Sequence, residues 1–288
     1  MSDETLQLRR GTSTDAQICA EICYEAFKAI NDRHGFPPDF PAVEVTLEMM
    51  SALFTHPETY SVVAERAGQV LGSNFLLEGS AIAGVGPITV APNIQNVSVG
   101  RRLMEAVLDR ARQQGFAGVR LVQAAFHNRS LSLYTKLGFD VQEPLANLQG
   151  QPLNLNIPGY LVRAATEADL AACSRLCQQV HGFDRAQELR QAIQQGTATV
   201  VEHCDRITGY ATVIGFFGHA VGATNEDIKA LIGAAQTFAG PGFLMPTRNS
   251  QLFRWCLEHG LRVVQPMTLM SLGLYNPPQG AFLPSILF

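Results

Sequence analysis

Residues 90–114 read V-A-P-N-I-Q-N-V-S-V-G-R-R-L-M-E-A-V-L-D-R-A-R-Q-Q, joining the end of a strand, a short loop and a helix. Val99, Leu103, Val107 and Ala111 recur every four residues, so the spacing predicts an amphipathic helix over about 99–113 with one buried stripe. The backbone N–H groups of its first turn have no partner within the helix and carry the positive end of its dipole. The loop-to-helix junction is therefore a place to hold an anion. Arg101 and Arg102 fall in that first turn. They oppose the dipole at about 0.3–1 kcal/mol each when exposed, and a bound polyanion reverses the sign of that term. From charge alone, two solvated arginines read the same way.

Composition bounds what the chain can be. Its 288 residues suffice for one large or two ordinary domains. With 47% hydrophobic and 16% charged residues, it has the means for a substantial core and lacks the signature of wholesale disorder. The 21 basic residues are scattered among 25 acidic ones, which argues against a nucleic-acid partner. The N-terminal M-S-D-E-T-L-Q has no leader pattern, and the longest apolar run, near 211–223, holds glycines and His219 and is too short to span a bilayer. The expectation is a soluble cytoplasmic protein with no membrane partner. Cys19 and Cys23, like Cys173 and Cys177, lie four apart on predicted helices with no His or Cys placed to complete a metal set. They read as buried free thiols, and no metal is expected.

Those cysteines also expose a repeat. Aligning Arg9 with Arg163, Asp15 with Asp169, Cys19 with Cys173, Ile22 with Leu176 and Cys23 with Cys177 takes one constant offset of 154. Ala64-Glu65 through Gly72 matches Val201-Glu202 through Gly209, each as strand, turn and strand. Gly138, Val141 and Pro144 then match Gly260, Val263 and Pro266 at one further offset. The chain reads as two copies of one unit, 1–155 and 156–288, joined across the loop-like Q-G-Q-P-L-N-L-N-I-P-G.

In the first copy, 6–10 reads as a strand and 14–30 as a helix with Ile18, Ile22, Ala26 and Ala29 on one stripe. Residues 31–41, with His34 and three prolines, read as a loop that could cover a substrate site. A helix over 43–54 follows, then strands near 60–66, 69–77 and 83–91, and after the central helix a strand at 119–124. Next comes F-H-N-R-S-L-S-L-Y-T-K-L-G-F, residues 126–139.

Gln95, Ser98 and Gly100 before the central helix, with Asn128, Tyr134 and Leu137-Gly138-Phe139 after it, resemble two signatures of the GNAT (GCN5-related) N-acetyltransferase superfamily. Ser98 stands where the family's loop has its first glycine. The resemblance implies an α/β fold, a mixed central sheet flanked by helices, present here as two tandem GNAT-like domains. It implies acetyl-CoA as cofactor, with Gln95 and the backbone of Val97, Ser98, Val99, Gly100 and Arg101 around the pyrophosphate and Arg102 beside them. It also implies Asn128 on the pantetheine arm, backbone N–H groups near Ile88 and Val90 on the thioester carbonyl, and Tyr134 protonating the departing thiolate. Many relatives carry a glutamate or histidine base on the fourth strand, but 84–91 has neither. His127 is the nearest candidate, with an ordinary pKa near ~6.5. A water relay, His34 and Glu78 remain open.

The second copy differs at the decisive positions. It runs V-G-A-T-N-E-D-I-K-A-L-I over 221–232, opening its helix with Glu226 and Asp227, which satisfy the dipole unaided and repel phosphate. Aligned through Gly260, Tyr134 falls on Cys256. The expectation is therefore a catalytic acyl-CoA-binding domain over 1–155 and a degenerate GNAT-like domain over 156–288. The acceptor would be an amine of a small molecule or peptide, and the protein a monomer or homodimer. A non-catalytic acyl-CoA sensor and a partner scaffold are the alternatives. The first copy also looks one strand short. The apolar G-A-F-L-P-S-I-L-F at 280–288 is either the last strand of the second domain or a segment crossing the junction, which would offer the carboxylate of Phe288 as a base.

Overall fold

A computed structural model describes residues 5–94 and 98–287. The first half contains β1 (Gln7–Arg10), α1 (Ala16–His34), α2 (Val43–Thr55), β2 (Thr59–Arg66), β3 (Gln69–Leu77), β4 (Ile82–Val85), β5 (Thr89–Val90), α3 (Val99–Gln114), β6 (Gly118–Ala124), α4 (Asn128–Lys136) and β7 (Asp140–Gln149). The second contains β8 (Leu161–Ala164), α5 (Leu170–His181), α6 (Ala186–Gln194), β9 (Thr199–His203), β10 (Arg206–Ala211), β11 (Ala220–Gly222), α7 (Asn225–Ala234), β12 (Phe243–Pro246), α8 (Ser250–Glu258), β13 (Arg262–Gly273) and β14 (Ala281–Leu283).

Helix α3 follows its periodicity. Val99, Leu103, Val107 and Ala111 are buried with Met104 and Leu108, and Gly115 ends the helix in the left-handed region at φ 73°. Helix α1 departs from the expected stripe. Ile18 is 38% exposed, while Ala16, Cys19, Ala20 and Cys23 face Val63 and Phe75, because small side chains let this helix lie close against the sheet. The same helix continues through Asn31 to His34, where a loop was expected, and stops at Gly35. Helices α1 and α2 cover one face of the first sheet, and α3 and α4 pack over the other.

The sheet topology answers the question of the missing strand. The large sheet runs β1-β2-β3-β4-β6-β13-β7-β12, with β5 paired to β3. Strand β13, from the second half, lies between β6 and β7 of the first; Met267–Gly273 pair with β6 and Arg262–Ser271 with β7. Reciprocally, β7 lies between β13 and β12. Each half thus lends a strand to the other. The remaining strands form a sheet ordered β14-β11-β10-β9-β8. Strand β14 pairs with β11 in that second sheet, and the chain then turns toward the first half. On the way the Ile286 N–H donates to the carbonyl of Phe216, in its own half, at 2.8 Å. Phe288 and its terminal carboxylate lie outside the described residues.

The repeat extends to individual ion pairs. Arg9 donates to both carboxylate oxygens of Asp15 and to Glu65, and Arg163 donates in the same way to Asp169 and Glu202. In each half the aspartate also closes a capping box, with Thr12 or with Thr166. The arginine and the threonine hold each aspartate below the usual carboxylate range, against the opposing pull of burial. A depressed carboxylate contributes stability above its unfolded pKa and loses it as pH falls toward the folded value. Arg163→Met should cost about 1–2 kcal/mol of unfolding free energy at pH 7, the arginine being partly exposed. That cost should shrink steadily below about pH 4. Denaturant titrations across pH check this; a cost that stays constant from neutral to strongly acid solution contradicts it.

The chain's last described residues also constrain β4. A Cβ placed on Gly84 would stand 2.5 Å from the Leu287 carbonyl oxygen, too close for any backbone contact. Gly84→Ala should therefore dislodge residues 284–287 from β4 and speed their removal by carboxypeptidase several-fold. An unchanged trimming rate in a folded variant contradicts that packing.

Candidate functional site

Strand β4 runs parallel to β6 only from Ile82 opposite Gly118 to Gly84 opposite Arg120, and β5 then pairs with β3 alone. The two sides of the sheet diverge beyond that point. A cavity of about 410 Å³ opens there, walled by 85–90, the start of α3, the end of β6, α4, the outer half of α1, and from the second half Phe216, Phe217 and Met267 with Ile286 and Leu287.

The sequence-predicted residues divide around this cavity. Ile88, Val90, Ser98, Gly100, Arg101, His127 and Tyr134 line it. Val99 packs its side chain in the core. Arg102 donates to the Leu6 carbonyl at 2.8 Å, tying α3 to the chain just before β1. Asn128 is exposed at the start of α4, where its neighbour Arg129 reaches the cavity wall. Gln95 and Val97 lie outside the described residues. Glu78 is taken by Arg110 at 2.7 Å, and His34 tilts against the Phe126 ring.

Ser98 sits in the left-handed region at φ 60°, ψ 6°, a conformation natural to glycine that costs a serine about 1–3 kcal/mol. Its hydroxyl makes no capping bond, while its carbonyl accepts from the Arg102 N–H. Arg101 pairs with Glu105 one turn on. The first turn of α3 thus borders the cavity without a cap from the Ser98 side chain.

Tyr134 is 6% exposed, and burial pushes its hydroxyl up to about 12, against the opposing effect of a hydrogen bond with Ser130. It therefore stays protonated at neutral pH and suits the role of an acid. The Ser130 hydroxyl lies 2.7 Å from His127 Nδ1. Burial lowers the His127 pKa, aided by the positive charges of Arg129, His34 and Arg33, so the ring is neutral at pH 7. His127, Ser130 and Tyr134 follow one another at helical spacing along one face of α4. Ser130 was legible in that spacing and went unread.

Four further wall residues carry polar groups or come from the other half. Asp39 accepts hydrogen bonds from Gln265 Nε2 at 2.8 Å and Asn31 Nδ2 at 3.1 Å, and burial raises its pKa. Gln123 and Thr89 are buried with side-chain polar atoms that meet no partner among the described residues. Phe216 brings an aromatic ring from the second half. No local motif announces any of them.

The matching place in the second half is built otherwise. The N-terminus of α7 is closed by its own acid: the Asp227 carboxylate accepts from the Thr224 N–H at 2.8 Å and from the Thr208 hydroxyl at 2.5 Å. Cys256 is buried in the core of this half, its thiol pushed up to about 12. Among the described residues no group of three His, Cys, Asp or Glu is placed to hold a metal, and no helix is long and apolar enough to cross a membrane.

Residues 24–139 match the acetyltransferase (GNAT) family. An IAA acetyltransferase of Azospirillum brasilense is 29% identical over 102 residues, 34% of this chain; the match spans 66% of that protein's length. The crystal structure of a putative acetyltransferase from Pyrococcus horikoshii superposes with a TM-score of 0.75 at 15% identity, covering 98% of this chain and 95% of its own. A tandem GNAT protein from the clavulanic acid biosynthesis pathway superposes with a TM-score of 0.56 at 15% identity, covering 93% and 98%. Residues 24–139 are thus similar to the acetyltransferase (GNAT) family, in a chain whose overall fold is that of a tandem GNAT protein.

Proposed function

We propose that this protein is an N-acetyltransferase that moves an acetyl group directly from acetyl-CoA to an amine of a small molecule or peptide. In this reading the acyl-CoA site belongs to the unit over 1–155, and the unit over 156–288 has none. The observation that carries the proposal is the buried, protonated Tyr134 lining one cavity with the start of α3, which the Ser98 side chain does not cap, and with residues 85–90.

The residues present fit acetyl-CoA. Among the described residues a Cβ on Gly100 would meet only Val90 and Leu133 at ordinary contact distances, and neither demands a glycine there. A pyrophosphate against the α3 backbone would. Ser98, strained at φ 60°, lines the cavity at the same place. Arg101 and Arg129 line the cavity and match a phosphate-bearing ligand. Bound there, acetyl-CoA supplies the thioester carbon that the amine attacks.

The chain's own contribution is placement and proton traffic. Backbone N–H groups at Ile88 to Val90 polarise the thioester carbonyl. The Tyr134 hydroxyl supplies the proton that the leaving sulfur needs, and Ser130 and His127 connect that hydroxyl to a neutral imidazole through which it is reprotonated. Closing α7 with Asp227 takes away the anion seat at that helix start.

Calorimetric titration should give one acetyl-CoA site per chain, weakened by Arg101→Glu. Tyr134→Phe should lower kcat by about 10²–10⁴-fold while acetyl-CoA affinity stays nearly unchanged, because the hydroxyl acts as the sulfur departs. Two equal sites per chain contradict the assignment of halves. Tight binding without thiol release from any amine in a broad panel would favour a sensor.

A further inference from the structure

The reading as an amine acetyltransferase leaves a proton unaccounted for. A primary amine arrives as an ammonium, with a pKa near ~10.4 for a lysine-like group, and must lose a proton before it attacks. Strands β4 and β5 offer no acid or base side chain. Among the described residues lining the cavity, one side chain is a carboxylate, Asp39.

Asp39 is held as a deliberate acceptor. Asn31 is 1% exposed and Gln265 2% exposed, and both turn their amide N–H groups onto its two oxygens. Neither amide oxygen has a partner among the described residues, so both side chains serve to orient the carboxylate. Asn31 comes from the end of α1, while Gln265 comes from β13, the strand lent by the second half. Around Asp39 the cavity is apolar and aromatic: Phe27 and Phe40 pack edge to face at 5.6 Å, with Phe216, Met267 and Ile286 also in the wall. Arg33, the other charged side chain from this part of the chain, is exposed. Gln123 adds a second pointer to a ligand: it is 6% exposed, lines the same cavity, and neither of its amide atoms meets a partner among the described residues.

We infer that Asp39 receives the acceptor, pairing with the ammonium of a primary amine whose body is aromatic or branched apolar, and takes a proton from that ammonium. This rests on the acetyltransferase reading. An ion pair sealed among apolar rings is poorly solvated, so the proton moves from nitrogen to carboxylate and both groups become neutral. The freed nitrogen lone pair forms the bond to the acyl carbon, the carbon–sulfur bond breaks, and the sulfur takes its proton from Tyr134. The nitrogen's second proton restores Tyr134 by way of His127 and Ser130, and Asp39 releases its own to water. Amide, free thiol and one proton are the products, and no oxidant or reductant enters.

The test compares 2-phenylethylamine with ethanolamine in the full-length protein and in Asp39→Asn, with acetyl-CoA binding measured separately by calorimetry. The unaltered protein should favour 2-phenylethylamine by at least tenfold in kcat/KM. Asp39→Asn should lose about 100-fold or more with that amine, while acetyl-CoA affinity stays within twofold. In the unaltered protein, the neutral isostere 2-phenylethanol should compete about tenfold more weakly than the amine, lacking the charge-assisted bond; this keeps the inference testable should the variant fail to fold. An Asp39→Asn variant that turns over normally, equal use of the two amines, or equal competition by the alcohol overturns the inference and leaves the acetyltransferase reading standing. Failure of the unaltered protein to bind acetyl-CoA overturns both.

Discussion

A β-strand inside a sheet must have hydrogen-bonding partners on both edges, and β6 finds one of its partners in the other half of the chain. Its buried N–H and C=O groups would each cost free energy if left unpaired, so the edge facing away from β4 has to be covered. Strand β13 covers it from Met267 to Gly273, and β7 is in turn enclosed between β13 and β12. Neither half can complete its sheet alone. That exchange fixes how the halves sit, and with it the shape of everything built at their junction.

The cavity is the direct consequence. Because β4 leaves β6 after Gly84, the sheet opens on the side of β6 that the first half owns, while the lent strand brings Met267 and Gln265 to the opposite side. The start of α3, without a cap from the Ser98 side chain, forms one wall, and Tyr134, Ser130 and His127 line another along α4. The second half contributes walls and orientation, through Phe216, Met267 and Gln265. Its own helix start is sealed by Asp227, and Cys256 takes the place that alignment gives to Tyr134. The start of α3 thus borders the cavity, while the start of α7 is closed by its own acid.

Local chemistry was readable from the residues. The stripe of α3, the acidic cap of α7 and the matched Arg9–Asp15 and Arg163–Asp169 pairs all follow from neighbours within one or two helical turns. Even the shortage of one strand in the first copy was visible. The identity of the strand that fills it was not, since β6 and β13 are far apart in sequence and an apolar alternating strand suits several places. Helix α1 misled for a physical reason: Ile18 looks like a core residue, but closeness to the sheet favours Cys19, Ala20 and Cys23. Asp39 was hidden because its meaning depends on Gln265, a contact spanning most of the chain.

Amide hydrogen exchange with and without acetyl-CoA tests most directly the claim that one seat is open and the other closed. Exchange should slow at 98–101 and along 128–134 when acetyl-CoA is present, with 224–227 unchanged. Protection of 224–227, or none at 98–101, would contradict it.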